Sequence, residues 1–141
     1  MQSLYQNIQT RRALSPVAAV VDNTAFVSQI IDMQSYASMM FVLLIGAIAD
    51  LDATFTVLLE EGDNSALSDA AAVADSDMVG TEATATFLFS GDDTTEKLEY
   101  VGAKRYVRLT ITPAANSGNI FLAAVALMGN PRHAPVDHTP A

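Results

Sequence analysis

The sequence predicts an all-β fold, in which about eight strands form the two sheets of a β-sandwich. Apolar and polar residues alternate in three segments, which is the pattern of strands that bury one face: residues 54–60, 83–90 and 105–112. Clusters of Gly, Asp, Asn and Pro separate such segments at intervals typical of sandwiches. The chain has 141 residues, 50% of them apolar, so it is long enough for one sizeable core but too short for two ordinary domains.

The alternating strands define which side chains should face the core. Within a strand, residues two apart share a face, and the apolar set is expected to point inward. The predicted inward residues are Phe55, Val57, Leu59, Phe87, Phe89, Val107, Leu109 and Ile111. A fourth alternating segment, residues 97–101, turns Leu98 and Tyr100 inward. A three-residue loop containing one Gly separates it from residues 105–112, which predicts a β-hairpin between the two.

Other segments are apolar on both faces and therefore need cover on both sides. They are residues 16–21, 26–31, 38–45 and 119–128. The turn sequence at residues 22–24 predicts that the first two of these form another hairpin. Residues 66–74 are alanine-rich and follow Asn64 and Ser65, which can cap a helix. This segment is expected to form one or two helical turns, or a loop.

The chain is predicted to consist of a central domain and two terminal arms. Residues 1–14 form a mostly polar N-terminal arm, in which Leu4, Tyr5 and Ile8 are spaced as an apolar stripe. Residues 15–128 contain the strands of the sandwich. Residues 129–141 form an extended, proline-rich C-terminal tail. Because free termini normally fray, such arms are expected to dock on a partner, or else to pack against their own sandwich.

Composition and charge exclude several classes of protein. The chain has no Cys, which excludes disulfides, thiolate metal sites and cysteine nucleophiles. Sixteen Asp and Glu outnumber seven Lys and Arg, and the formal charge of -9 opposes binding to nucleic acid or anionic lipid. The longest apolar run has 13 residues, fewer than the ~20 that a membrane-spanning helix needs. We therefore expect no direct nucleic-acid partner and no membrane partner.

The charges are unevenly placed along the chain. Residues 13–96 contain 14 carboxylates and no Lys or Arg, whereas all seven cations lie in the remaining residues beside only two carboxylates. One interpretation is a solvated acidic face. The other is that the basic ends pair with an acidic neighbour or with another copy of the chain.

No arrangement of residues predicts catalysis or metal binding. The two histidines, His133 and His138, lie in the C-terminal tail, away from any nucleophile. Asp75 and Asp77 resemble the start of a calcium loop, but two ligand positions of an EF-hand loop are missing. The adjacent carboxylates at 60–61 do not suit a glycosidase acid and base, because neighbouring strand residues point apart. No enzyme activity, no cofactor and no metal are expected.

Loose strand-and-turn motifs carry a resemblance to a known group of proteins. They are residues 100–112 (YVGAKRYVRLTIT), 120–132 (IFLAAVALMGNPR) and 134–136 (APV), with 58–62 (LLEEG), 68–69 (SD) and 80–81 (GT) in the middle of the chain. Over residues 13–136 the chain resembles small head proteins of tailed bacteriophages, of the decoration or cement type. The resemblance implies a jelly-roll or related β-sandwich and transfers no catalytic residue.

The same resemblance implies a non-enzymatic virion protein that binds the shell of the major capsid protein and stabilises it. Such a protein is made in the host cytoplasm and lies on the outer surface of the capsid, where a homotrimer would suit a symmetry axis. The alternative is the base of a head spike or fibre, or a carbohydrate- or receptor-binding module; a small hydrolase would need a catalytic constellation that is not found. The candidate partner contacts are Leu4, Tyr5, Ile8, Arg11, Arg12, Tyr106, Arg108 and Arg132.

Overall fold

The computed structural model describes residues 3–136, which form a sandwich of two antiparallel sheets. Its elements, in chain order, are α1 (Leu4–Asn7), β1 (Gln9–Leu14), β2 (Phe26–Val27), β3 (Ile31–Asp32), β4 (Tyr36–Ile48), β5 (Thr54–Gly62), β6 (Ala71–Ala72), β7 (Met78–Val79), α2 (Glu82–Ala85), β8 (Phe87–Leu88), β9 (Thr95–Tyr100), β10 (Tyr106–Ala114) and β11 (Ile120–Pro131). The predicted all-β sandwich is confirmed. The described residues contain eleven strands rather than about eight, because several edge segments pair over only two residues.

Each sheet is built around a pair of long strands. The first sheet has the order β1-β11-β4-β9-β7, and the second has the order β2-β10-β5-β6, with β3 also paired to β10 and β8 to β5. β11 runs antiparallel to β4 along most of its length, and β10 does the same along β5. No helix in the described residues is long and apolar enough to cross a membrane.

The core lies between the two sheets and contains the inward residues that the alternation predicts. Seven of the eight are buried, and Phe89 is half-buried against the core. The rings of Phe55 and Phe87 stack with their centroids 4.8 Å apart. The first sheet contributes the buried side chains of Phe41, Leu43 and Ile45 from β4, in the segment that was predicted to be a strand.

The predicted hairpin between residues 97–101 and 105–112 is wrong, because the two strands lie in different sheets. β9 pairs with β4 and β7, whereas β10 pairs with β5. The chain crosses between the sheets at Tyr100, whose hydroxyl donates to Glu61 Oε2 (2.6 Å) and accepts from the Lys104 N–H (2.9 Å). The crossover is therefore fixed by a buried ring with two hydrogen bonds and not by a tight turn.

Residues 83–90 do not form the predicted strand, although Ala85 and Phe87 are buried as expected. They form α2, the two-residue β8 and a 3-10 turn. Thr81 caps α2, since its hydroxyl oxygen accepts from the Thr84 N–H at 3.1 Å. The Glu82 carboxylate accepts from the Leu59 N–H at 2.6 Å, so a side chain takes the place of a paired strand at this edge of β5.

The predicted hairpin of residues 17–21 and 26–31 is also wrong. The first segment makes a single bridge, between Val20 and Ile120, and the second is split into β2 and β3, both paired with β10. The turn at residues 22–24 is present, with Asp22 accepting from the Thr24 N–H at 2.9 Å. Residues 64–70 form a loop that leads into β6, which is the second of the two forms expected for this region.

The described parts of the arms pack against their own domain. Gln9–Leu14 of the predicted N-terminal arm is a strand of the first sheet, and its residues Gln9 and Ala13 are buried. The C-terminal chain returns to the residues before this strand, where the Val136 N–H donates to the Gln6 carbonyl at 3.0 Å. Residues 1–2 and 137–141, with His138, lie outside the described residues.

Candidate interaction surface

The outer face of the first sheet is apolar across its two central strands. Alternate residues of β4 and β11 point away from the core, and the register places Met40 beside Leu127, Val42 beside Val125, and Leu44 beside Ala123. The seven residues that we call the apolar face are Met40, Val42, Leu44, Phe121, Ala123, Val125 and Leu127. Leu44 and Phe121 are 59% and 45% exposed, and the other five residues are half-buried.

Charged side chains border the apolar face on both sides. Arg12 of β1 lies beside Val125, while Lys97 and Glu99 of β9 lie beside Val42 and Met40. Among residues 3–136, neither Lys97 nor Glu99 makes an ion pair, and Arg12 donates only to the Ser15 hydroxyl, at 3.0 Å. An apolar centre with a charged rim is the usual composition of a protein–protein interface.

Two shallow hollows extend this face at its ends. At one end, Leu4, Tyr5 and Ile8 line a hollow of about 270 Å³ with Thr10 and Leu127. Leu4 and Tyr5 are 75% and 71% exposed, so the predicted N-terminal contact residues join the apolar face rather than a free arm.

At the other end, a hollow of about 130 Å³ lies beside Leu44 and Phe121. Gly46 also lines this hollow and lets β11 approach closely, since a Cβ there would lie 3.1 Å from the Cβ of Phe121. The apolar face with its two hollows thus extends from Leu127 and Met40 at one end to Leu44 and Phe121 at the other.

Three of the predicted contact residues bind other residues of the same domain. Arg108 holds Glu60 with Nε and Nη2 at 3.1 and 2.7 Å, and both side chains are about three-quarters covered, with 26% and 21% exposed. The ring of Tyr106 lies under the Arg105 guanidinium, 5.1 Å from its centroid. Arg11 donates to the Thr10 carbonyl at 3.2 Å. Arg105 therefore occupies a face of the Tyr106 ring that could otherwise stack on a sugar.

The remaining predicted contact, Arg132, lies in a different place from the others. It lines a cleft of about 450 Å³ at the end of the sandwich where β4 begins and β9 crosses to β10. We call this the basic cleft; its lining residues are Met33, Gln34, Ser35, Tyr36, Ala37, Gly102, Ala103, Lys104, Arg105 and Arg132. Lys104 and Arg105 are thus cleft residues that the sequence analysis did not select.

Hydrogen bonds shift the ionisation of several groups around this end of the sandwich. The hydrogen bonds from Arg105 Nε and Nη2 lower the pKa of Asp32 and are the largest cause of its shift. The hydrogen bond to Asp63 raises the pKa of Lys104. Burial, followed by the bond to Glu61, raises the pKa of Tyr100. Each of these interactions favours the protonation state that the group has at neutral pH: carboxylate for Asp32, ammonium for Lys104 and neutral phenol for Tyr100.

The carboxylates considered for chemistry are held in structural contacts or lie apart. Glu60 and Glu61 point to opposite faces of β5, as expected, and bind Arg108 and Tyr100 respectively. Asp75 and Asp77 lie in a 3-10 turn, whose Asp77 carbonyl accepts from the Val101 N–H. In the described part of the chain, no group of three His, Asp or Glu side chains is arranged to hold a metal ion.

The apolar face was not predicted from the sequence. Its β4 and β11 residues belong to segments that were predicted to be covered on both sides, and the structure covers only the inner side. The signal was present, since in a two-layer sandwich a strand that is apolar on both faces turns one of those faces away from the core. What the sequence does not show is which of its apolar segments end up in the middle of the same sheet.

Comparison with known proteins identifies the fold. No protein-family model and no curated protein matches this chain. Among solved structures, the PBSX exported protein XepA is similar over 100% of this chain (TM-score 0.52, 14% identity), and the match spans 44% of that protein. At this identity the similarity shows a shared β-sandwich fold alone.

Two carbohydrate-related structures are also similar, with lower scores. The xylan-binding module CBM15 has a TM-score of 0.41 and 10% identity, over 94% of this chain and 96% of that one. The CBM22-1–GH10 modules of the Clostridium thermocellum xylanase Xyn10B have a TM-score of 0.45 and 11% identity, over 96% of this chain and 28% of that one.

Proposed function

We propose that this protein is a non-enzymatic structural component of a tailed-phage virion, a decoration protein that binds the outer surface of the major capsid protein shell. The observation that carries the proposal is the apolar face, which occupies the centre of a sheet on an otherwise acidic domain. The choice of a phage head as the place of action rests on the resemblance of residues 13–136 to head proteins.

The composition of the apolar face suits permanent attachment to a large protein surface. Side chains such as Leu44 and Phe121, which are 59% and 45% exposed, are unfavourably hydrated until a partner covers them. The surrounding charges, Arg12, Lys97 and Glu99, would set the orientation of the domain on its partner. A protein that binds only the assembled shell stabilises the assembly by mass action, with no need for chemistry.

The first test is the substitution Leu44→Asp. It should weaken attachment to shells of the same phage's major capsid protein at least tenfold, because a carboxylate buried in an apolar interface without a partner costs more than about 1.4 kcal/mol. Co-sedimentation of the purified protein with intact shells measures this change.

The matched control is Leu88→Asp in the second sheet, where the original side chain is 52% exposed. It introduces the same charge on the opposite layer of the sandwich and should leave attachment unchanged. Equal losses for the two variants, or unchanged binding of Leu44→Asp, would contradict attachment through the apolar face.

We further propose that the free protein is a homotrimer, the form that matches a threefold position on a shell. Sedimentation equilibrium should then give about three times the chain mass of 14.9 kDa. A mass of one chain at every concentration would contradict the trimer. It would not contradict shell binding, which the co-sedimentation experiment tests separately.

A further inference from the structure

The basic cleft concentrates positive charge in an acidic protein. Three of the seven Lys and Arg residues line it, and none of its lining residues within 3–136 is Asp or Glu, while Asp32 and Asp63 pair with two of these cations from the border of the cleft. From this arrangement we propose that the cleft is a binding site for carboxylate side chains of an acidic protein segment. The proposal concerns a different surface from the apolar face and does not depend on attachment to a shell.

Two of the three cations are held in position from outside the cleft. Arg105 donates to Asp32 through Nε and Nη2, both at 2.9 Å, and Lys104 donates to Asp63 at 2.6 Å. Each keeps donors that make no contact within residues 3–136: Nη1 of Arg105 and two of the three ammonium hydrogens of Lys104. The two aspartates thus orient the cations and leave part of their hydrogen-bonding capacity for a ligand.

The third cation, Arg132, is the one whose side chain is free to bind. Its backbone N–H donates to the Ser35 carbonyl at 2.9 Å, which fixes the chain at this point. Within residues 3–136 its guanidinium makes no hydrogen bond or ion pair. A guanidinium offers two parallel donors that match the two oxygens of a carboxylate. Arg132 is therefore expected to be the principal contact of the bound ligand.

The pattern of donors favours carboxylates over phosphate. Tight phosphate sites are usually built from converging backbone N–H groups. In this cleft, five such groups are already bonded within the protein, namely those of Met33, Gln34, Tyr36, Lys104 and Arg132. The binding capacity that remains belongs to long cationic side chains, which suit several carboxylates spaced along a peptide.

The same lining argues against an acidic sugar as the ligand. Carboxylate and amide oxygens are strong acceptors for sugar hydroxyls, and no lining residue within 3–136 carries a carboxylate. Its one amide side chain, Gln34, already accepts from Arg105 at 2.7 Å. An acidic peptide needs only donors, and donors are what the cleft provides.

The test measures binding of a fluorescent hexaglutamate peptide to the full chain by anisotropy. At about 0.01 M salt, where the screening length is about 30 Å, the peptide should bind, and at about 0.15 M binding should weaken. Arg132→Ala should weaken binding about five- to tenfold, since it removes a charge-assisted pair. The substitution should leave the fold intact, because the side chain is exposed and supports no other contact.

The matched control is Lys97→Ala, which removes the same charge from β9, outside the cleft. It should leave peptide affinity within twofold of the parent. No binding, or equal weakening by the two variants, would overturn the proposal, because the second result indicates attraction to overall charge only. Tighter binding of a mannuronate oligomer than of hexaglutamate would also overturn it and assign the cleft to an acidic sugar.

Discussion

Replacing Leu109 with Ala is expected to lower the free energy of unfolding by about 2–5 kcal/mol. Leu109 lies in the middle of β10, is completely buried, and is paired with the equally buried Leu59 of β5. Its backbone is held on the other side by Ser28, whose hydroxyl accepts from the Leu109 N–H at 2.9 Å. Because both neighbouring strands are fixed, the core cannot collapse into the space that the missing carbon atoms leave.

Thermal or urea unfolding of the purified protein measures this loss. The control is Leu51→Ala, in the turn after β4, where the leucine is 71% exposed. That substitution deletes the same atoms from a solvated site and should change stability by less than about 0.5 kcal/mol. If the two variants lost similar amounts, β10 would not be the centre of the packed core.

The alternation of side chains predicted this core well, because burial selects the face of a strand whatever the strand's neighbours are. Phe55, Val57 and Leu59 are buried for this reason. The same pattern also predicted burial correctly where the predicted strand is absent: Phe87 is buried, although residues 83–90 are mostly not a strand. Apolar spacing therefore predicted which side chains enter the core more reliably than which secondary structure carries them.

Strand pairing was predicted less well, because it depends on contacts between residues far apart in sequence. A three-residue loop containing Gly102 is compatible with a hairpin, but the pairing of β9 with β4 and of β10 with β5 shows that the chain crosses to the other sheet, where Tyr100 bonds to Glu61, 39 residues away. Similarly, no local feature shows that the Glu82 side chain occupies the edge of β5. Such long-range polar contacts leave no periodic signal in the sequence.

The positions of the predicted contact residues depend on strand pairing. Leu4, Tyr5 and Arg12 do lie on or beside the apolar face, because β1 joins the sheet at its edge next to β11. Arg108 is outward as predicted, yet its partner is Glu60 of the neighbouring strand. Charge alone could not distinguish these two outcomes, since Arg12 and Arg108 carry the same side chain. Whether such an arginine is paired or open to solvent depends on the residues of the strand next to it.

The crossover at Tyr100 also makes a glycine indispensable, and Gly102→Ala is expected to lower the free energy of unfolding by about 2–4 kcal/mol. The added Cβ would lie 2.6 Å from Cε2, Cζ and the hydroxyl oxygen of Tyr100, so either this side chain or the backbone must move. The ring is completely buried, and its hydroxyl is bound to both Glu61 and Lys104. Overpacking costs about 1–3 kcal/mol, and disturbing buried hydrogen bonds adds about 1–3 kcal/mol when they are lost in full.

Gly129→Ala is the matched control for this prediction, because its added Cβ would meet only the Ser38 hydroxyl, at 3.4 Å. We expect it to change stability little, or to raise it slightly through the lower entropy of the unfolded chain.

Tyr100→Phe separates the two contributions to the Gly102→Ala loss, because it removes the hydroxyl but keeps the ring. It should cost about 1–3 kcal/mol, since the Glu61 carboxylate and the Lys104 N–H are left without their partner. In the double variant the two losses should not add, since both act on the same hydrogen bonds. Two results would contradict this account: fully additive losses, or a loss of stability for Gly102→Ala no larger than that for Gly129→Ala. Either would mean that the backbone can rearrange at the crossover and that the Tyr100 contacts do not hold the sheets together.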